Sequence, residues 1–234
     1  EMFGVSVEKS MPAALAVEVF HNFTLVHDDI MDESLERRGR PTIHERWDLS
    51  TAILSGDLLL GEAYHMLSHL PDVRLAPVLR LFHDTMKKLC EGQALDKAFE
   101  DQTDVSVEEY LEMIERKTGA LFQAALELGP VLGAAAEREQ ERMRRVGFHI
   151  GRAFQIQDDL LDLTATDAGW GKSIGEDLVE GKKTYLLLQA LEHAEGEMLD
   201  WFQHIAVTGG LAAGDVPEAR RRMDDLGVIE TTRE

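Results

Sequence analysis

Residues 25–41 read LVHDDIMDESLERRGRP. Three carboxylates, Asp28, Asp29 and Asp32, interrupt an otherwise apolar run, and Arg37 and Arg38 follow them. Residues 28 and 32 are one helical turn apart, so a helix places both on one face. Like charges at that spacing repel by roughly a few tenths of a kcal/mol in water, and by more where water is excluded. The apolar stretch FHNFTLV precedes the first aspartate. Carboxylates embedded in such a helix need compensation, and divalent cations supply it; oxygen-only ligation suits Mg²⁺ or Mn²⁺ better than zinc.

The same device recurs. DDLLD at 158–162 carries Asp158, Asp159 and Asp162 behind the apolar AFQI. Its helix is apolar on nearly every face from Val146 onward, the pattern of a buried helix. Flanking residues of the two stretches do not align, so this is a repeated device and not a repeat. Basic residues accompany each cluster: Arg37, Arg38 and Arg40 after the first, and Lys172, Lys182 and Lys183 after the second. A third basic site is RKTGALF, with Lys117 and Thr118. Metals on one side and guanidinium or ammonium groups on the other is a way to hold a diphosphate.

Composition agrees with that reading. The 234 residues carry 44 acidic against 24 basic side chains, a formal net charge of −20. That field disfavours nucleic acid and anionic membranes as partners. It also makes an anionic substrate depend on metal ions or a local basic cluster. Hydrophobic residues make up 44%, enough for a sizeable core. The single cysteine, Cys90, excludes an internal disulfide framework and fits a reducing, cytoplasmic compartment. No apolar run reaches the length of a membrane span.

The pattern is helical nearly throughout. Helices are expected at about 12–33, 51–69, 75–99, 107–128, 138–164, 176–195, 197–207 and 216–226, in one all-α domain over residues 1–234. Ser106 and Glu109 predict a capping box for the fourth, and Gly129-Pro130 its end. No sheet is expected. The segment 164–175, TATDAGWGKSIG, reads as a glycine-rich loop.

The stretches HDDIMDESLERRG, SGDLLL, EGQALD, RKTGALF, FQIQDDLLDL and GKSIGEDLVEGKKT resemble, in order, those of the trans-isoprenyl diphosphate synthases, or polyprenyl synthetases. The resemblance runs from about His21 to Lys183 and is weak beyond about residue 195. It implies a single-domain helical bundle, the isoprenoid synthase fold, around a deep central cavity. The two DDxxD motifs would face each other across its mouth. Asp28 and Asp32, and in the second motif chiefly Asp158, would hold three Mg²⁺ against an allylic diphosphate (dimethylallyl, geranyl or farnesyl). Arg37, Lys117, Lys172 and Lys182 would hold the same diphosphate, while Arg38 and His21 match positions that bind isopentenyl diphosphate. Thr118 and Gln155 match residues lining the reacting centre, and Gln93 with Asp96 a supporting pair near the metals.

The implied reaction joins the two diphosphates into a short all-trans chain, C15 to C20, with C20 favoured. Phe23 and Phe20 lie five and eight residues before Asp28, about 7 and 12 Å deeper along the helix. In the family an aromatic at the Phe23 position is a floor for the growing chain; Phe20 reads better as core. The loop bearing Lys172 would be a flap that keeps water from the carbocation. The family's Gly-Gly-Lys-x-x-Arg motif has no counterpart among the 27 residues before Asp28. The expectation is that the helix carrying it precedes the sequence. A homodimer is the family's usual assembly.

Three rivals differ in class. Glu18 with His21, and Glu62 with His65, are Glu-x-x-His pairs of the kind that di-iron bundles use. Helical angles oppose that reading: His21 shares the face of Asp28, while Glu18 points some 80° away. A class I terpene cyclase would share the first motif but not DDLLDLTAT. A non-catalytic partner subunit would lose motif aspartates, and none are lost here.

Overall fold

The computed structural model describes residues 2–165 and 174–234. In chain order the helices are α1 (Val7–Met31), α2 (Ile43–Arg46), α3 (Leu49–Leu67), α4 (Asp72–Asp101), α5 (Val107–Ile114), α6 (Ala120–Leu132), α7 (Glu137–Thr164), α8 (Glu176–Val179), α9 (Tyr185–His193), α10 (Gly196–Thr208), α11 (Val216–Asp225) and α12 (Val228–Arg233). A π-helical turn, Glu115–Gly119, joins α5 to α6. Two short strands, β1 (Glu36–Arg37) and β2 (Arg40–Pro41), lie between α1 and α2. Contacts group the chain into two compact units, residues 1–86 with 121–147, and residues 87–120 with 148–234. No helix among the described residues is long and apolar enough to cross a membrane.

In the first unit α1 packs on α3. Ser6 caps α1 by accepting from the Lys9 N–H, so the helix starts five residues before the expected Pro12. Ala13, Ala16 and Phe20 recur at helical spacing and are fully buried. Phe20 meets Phe82 edge-on at 5.8 Å. Gly56 of α3 lies so close to α1 that a Cβ there would sit 2.2 Å from the His27 ring. Glu127, buried on α6, is held by the Arg144 guanidinium of α7, with Nε 2.7 Å from Oε2.

In the second unit α9, α10, α11 and α12 enclose a core of Leu186, Leu187, Phe202, Ile205, Met223 and Ile229. Leu160 and Leu163 of α7 join it. A smaller cluster gathers Phe99, Val107, Tyr110, Met113 and Ile114. The expected capping box is present, with Ser106 and Glu109 each bonded to the other's backbone N–H.

Four local expectations are corrected. A minimal ribbon does form at residues 36–41, because Arg38 (φ 54°) and Gly39 (φ 70°) both take the left-handed conformation. That is the two-residue hairpin turn whose twist suits antiparallel strands, and it pairs Arg37 with Arg40. Gly129-Pro130 does not end its helix. Pro130 is buried among Leu128, Val131 and Leu132, and packing outweighs the lost N–H. The helix stops instead at Ala134 (φ 53°), where the Ala135 N–H returns to the Pro130 carbonyl at 2.9 Å. The helix expected over 176–195 breaks at Gly181 (φ 74°), and Thr184 caps α9. Finally, α7 keeps an exposed face: Val146 (45%), Ile150 (45%) and Phe154 (51%) lie on it.

Candidate active site

The first aspartate cluster ends α1. Asp32 is the C-cap, and its N–H still donates to the Asp28 carbonyl at 2.9 Å, so the i,i+4 relation of the two carboxylates holds. The chain then turns through Glu33 (φ 50°), with the Ser34 N–H on the Asp29 carbonyl at 2.9 Å. This is a glycine-type helix stop made by a non-glycine, strain of the sort stored near functional sites. Carboxylates here also face the negative end of a 25-residue helix, which disfavours them further.

The three aspartates differ. Asp29 is buried, and Arg37 donates to its Oδ1 from Nε at 2.7 Å and from Nη2 at 2.6 Å. The same Nη2 lies 3.7 Å from Asp28 Oδ2. Asp28 and Asp32 are half-buried. The hairpin that follows α1 thus folds Arg37 back over the cluster, while Arg38 at its tip is exposed. Burial lowers the pKa of His21, and the nearby Arg38 and Arg37 lower it further against the pull of Glu18.

The second cluster sits in the last turns of α7, again at the negative end of a long helix. Its middle member is again buried and hydrogen-bonded. Asp159 is buried and accepts from the Tyr110 hydroxyl at 2.5 Å, the Tyr185 N–H at 2.9 Å and the Gln155 amide at 3.1 Å. Burial nonetheless raises its pKa to about 7. Tyr110 is pushed well above its ordinary value, by burial first and by the Asp159 charge second. Asp162 is buried and accepts a 3.4 Å bond from the Asp177 N–H, while Asp158 is half-buried.

The π turn carries the third group. Lys117 donates to Asp96 Oδ2 of α4 at 2.5 Å, and Thr118 donates to Gln155 Oε1 at 2.8 Å. Gln155 therefore links Thr118 to Asp159. Gln93, paired with Asp96 by sequence, is buried with its amide nitrogen unpartnered among the described residues. The two lysines of EGKKT part company. Lys182 meets Glu180 at 2.9 Å and Asp177 at 3.6 Å, whereas Lys183 is buried and donates to the Glu100 carbonyl at 2.9 Å. Lys172 and most of its loop lie outside the described residues. Phe23 lies between Phe20, tilted at 5.5 Å, and His27, edge-on at 4.8 Å.

Sequence reasoning missed Tyr110, the Tyr185 N–H and Gly92. Nothing in the local pattern distinguishes Tyr110 from a core aromatic. Gly92, beside Gln93, was legible only as a glycine inside a helix.

Among the described residues no three His, Cys, Asp or Glu side chains group closely enough to hold a metal ion by themselves. The oxygen-only donors do fit Mg²⁺, which usually takes one or two carboxylates and completes its octahedron with water and substrate phosphates. Asp28, Asp32 and Asp158 are half-buried carboxylates of that kind.

Residues 1–222 match the polyprenyl synthetase family model, past the point where sequence motifs fade. A short chain isoprenyl diphosphate synthase of Methanocaldococcus jannaschii is 45% identical over 187 residues, 80% of this chain and 57% of that protein. A geranylgeranyl diphosphate synthase of Methanosarcina mazei is 43% identical over 204 residues, covering 86% and 62%. The crystal structure of a Corynebacterium glutamicum geranylgeranyl pyrophosphate synthase, complexed with isoprenyl diphosphate and magnesium, superposes with a TM-score of 0.87. It is 30% identical, and the match covers 97% of this chain and 70% of that one. The chain spans about three fifths of the length of these curated relatives.

Proposed function

We propose, from the premise that the chain belongs to the polyprenyl synthetase family, that it carries the site of a Mg²⁺-dependent trans-prenyltransferase. The reaction joins an allylic diphosphate to isopentenyl diphosphate. One observation carries the reading: each DDxxD motif stands near a helix's negative end with its first aspartate half-buried and its middle one buried against a protein donor, Asp29 on Arg37 and Asp159 on Tyr110. Three Mg²⁺ per site is the proposed stoichiometry, and magnesium accompanies isoprenyl diphosphate in the Corynebacterium relative.

Asp28, Asp32 and Asp158 would hold the metal. Mg²⁺, when bound, supplies charge neutralisation for the diphosphate as it leaves. Arg37, Lys117 and Lys182, with Lys172, bind the allylic diphosphate. The allylic C–O bond breaks with its electron pair going to diphosphate. These cations contribute most as that charge develops. Thr118 and Gln155 present oxygens to the carbocation, which the double bond of isopentenyl diphosphate attacks before a proton leaves. His21 and Arg38 bind isopentenyl diphosphate. Burial lowers the pKa of His21 and so favours its neutral form, which can donate a hydrogen bond.

Phe23 is proposed as the floor for the growing chain, giving C15 to C20 with C20 favoured. Its ring is braced by Phe20, which in turn is braced by Phe82. A homodimer is proposed on the exposed face of α3, where Leu54 (67% exposed) and Leu58 (65%) lie one turn apart. The test is direct. Incubate the full-length enzyme with Mg²⁺, isopentenyl diphosphate and each of the C5, C10 and C15 allylic diphosphates, and weigh the products. No elongation from any primer sinks the prenyltransferase reading.

A further inference from the structure

Gly92, in the middle of α4, takes no part in the chemistry above. A Cβ built on it would lie 2.2 Å from the Lys117 backbone N, 2.7 Å from Lys117 Cα and 2.7 Å from the Arg116 carbonyl carbon. Real Cβ contacts are never so short, so α4 and the π turn touch backbone to backbone only because residue 92 has no side chain. The turn it touches is the one irregular segment between α5 and α6. A π turn adds a residue to the helix and re-aims the residues after it, at a cost that needs local support.

The support is grouped around Gly92. On one side of it Glu91 accepts from Arg116 Nη1 at 2.7 Å, and Arg116 Nη2 reaches Glu112 at 2.6 Å. One turn further along α4, Asp96 accepts from Lys117 at 2.5 Å. Beyond Lys117, Thr118 donates to Gln155, and Gln155 donates to Asp159. Of three consecutive residues of the turn, Arg116 and Lys117 are held by α4 and Thr118 by α7. The first two bonds depend on the depth at which the turn meets α4.

We infer that Gly92 is a positioning residue, whose missing side chain sets the π turn at the depth where Lys117 and Thr118 face the allylic diphosphate. The inference rests on the prenyltransferase reading. Gly92→Ala is expected to push the turn away from α4. A displacement of about 1 Å at a reacting centre can lower turnover by roughly 100-fold. The expected result is kcat lower by about 10- to 100-fold and KM for the allylic diphosphate raised, with KM for isopentenyl diphosphate changed less than about twofold.

Gly147→Ala is the control. Its Cβ would meet the Gln123 backbone at 2.5 Å, a backbone clash of similar kind away from the π turn. It should lower Tm comparably and leave the allylic KM alone. Amide exchange supplies the readout that needs no turnover: residues 115–119 should lose protection in Gly92→Ala and keep it in Gly147→Ala. If Gly92→Ala does not fold, Glu91→Gln loosens the same turn without adding an atom and should raise the allylic KM. Matched kinetics in the two alanine variants, unchanged exchange at 115–119, or an unmoved allylic KM in Glu91→Gln overturns the inference. A wild-type enzyme that elongates no primer overturns the reading beneath it instead, and leaves the exchange result to decide the role of Gly92.

Discussion

The Tyr110 hydroxyl donates to Asp159 Oδ2 across 2.5 Å, and the Tyr185 N–H donates to the same oxygen at 2.9 Å. The middle aspartate of the second cluster is thus bound by its own protein before any substrate arrives. Asp29 stands in the same relation to Arg37 in the first cluster. This relation yields a stability prediction. Burial raises Asp159 from 3.8 to about 7, so the folded state holds this proton more tightly than the unfolded chain does. The stabilisation is complete below about pH 4 and is lost as pH rises through about 7. Thermal melts in EDTA should show Tm falling across that window, and Asp159→Asn should flatten the fall. An equal slope in both proteins would reject the assignment.

Tyr110→Phe removes one donor from that buried carboxyl. A buried polar group left short of a partner costs about 1–3 kcal/mol. Urea titration should report a loss of that size with an unchanged m-value. A loss below about 0.5 kcal/mol would mean that the bond is not made in solution.

The division of labour within each DDxxD is testable by kinetics. Asp28→Asn and Asp32→Asn should lower kcat by roughly 10²- to 10³-fold, the scale of losing one electrostatic partner of a transition state, and should raise the Mg²⁺ needed for half-maximal rate. Asp29→Asn releases Arg37 and should give a smaller kcat loss with little change in Mg²⁺ dependence. Equal behaviour of all three variants would remove the distinction.

Phe23→Ala should lengthen the product, as mass spectrometry of the chain would reveal, whereas an unchanged length would exclude Phe23 as floor. Phe20→Ala should chiefly destabilise, by about 3–5 kcal/mol, because its ring is fully buried against Phe82.

Glu33 occupies the left-handed conformation at φ 50°. A non-glycine there costs about 1–2 kcal/mol, so Glu33→Gly should raise stability by about 1 kcal/mol after the entropy gained by the unfolded chain. A fall in Tm would show that the Glu33 side chain makes a stabilising interaction of its own.

Much of this protein was legible in one dimension. The period of the apolar residues gave the long helices, the spacing of Asp28 and Asp32 their shared face, and Ser106 with Glu109 their capping box. These depend on neighbours within a turn or two, which sequence displays. The hairpin at Arg38-Gly39 was less visible, because arginine rarely signals a left-handed residue. Pro130 misled, because burial of its neighbours outweighed a local rule.

Tertiary structure decided which partner each member of an identical-looking pair meets. Sequence supplies two adjacent aspartates at 28–29 and again at 158–159, and the local pattern does not show which protein group each one meets. Folding decides it: Arg37 reaches Asp29 from the hairpin after α1, and Tyr110 comes to Asp159 from 49 residues away. The same holds for Lys182 against Lys183, and for Gly92 against any other helical glycine. The chemistry of a side chain belongs to its residue type, but its pKa, its partner and its room belong to the groups that folding brings beside it.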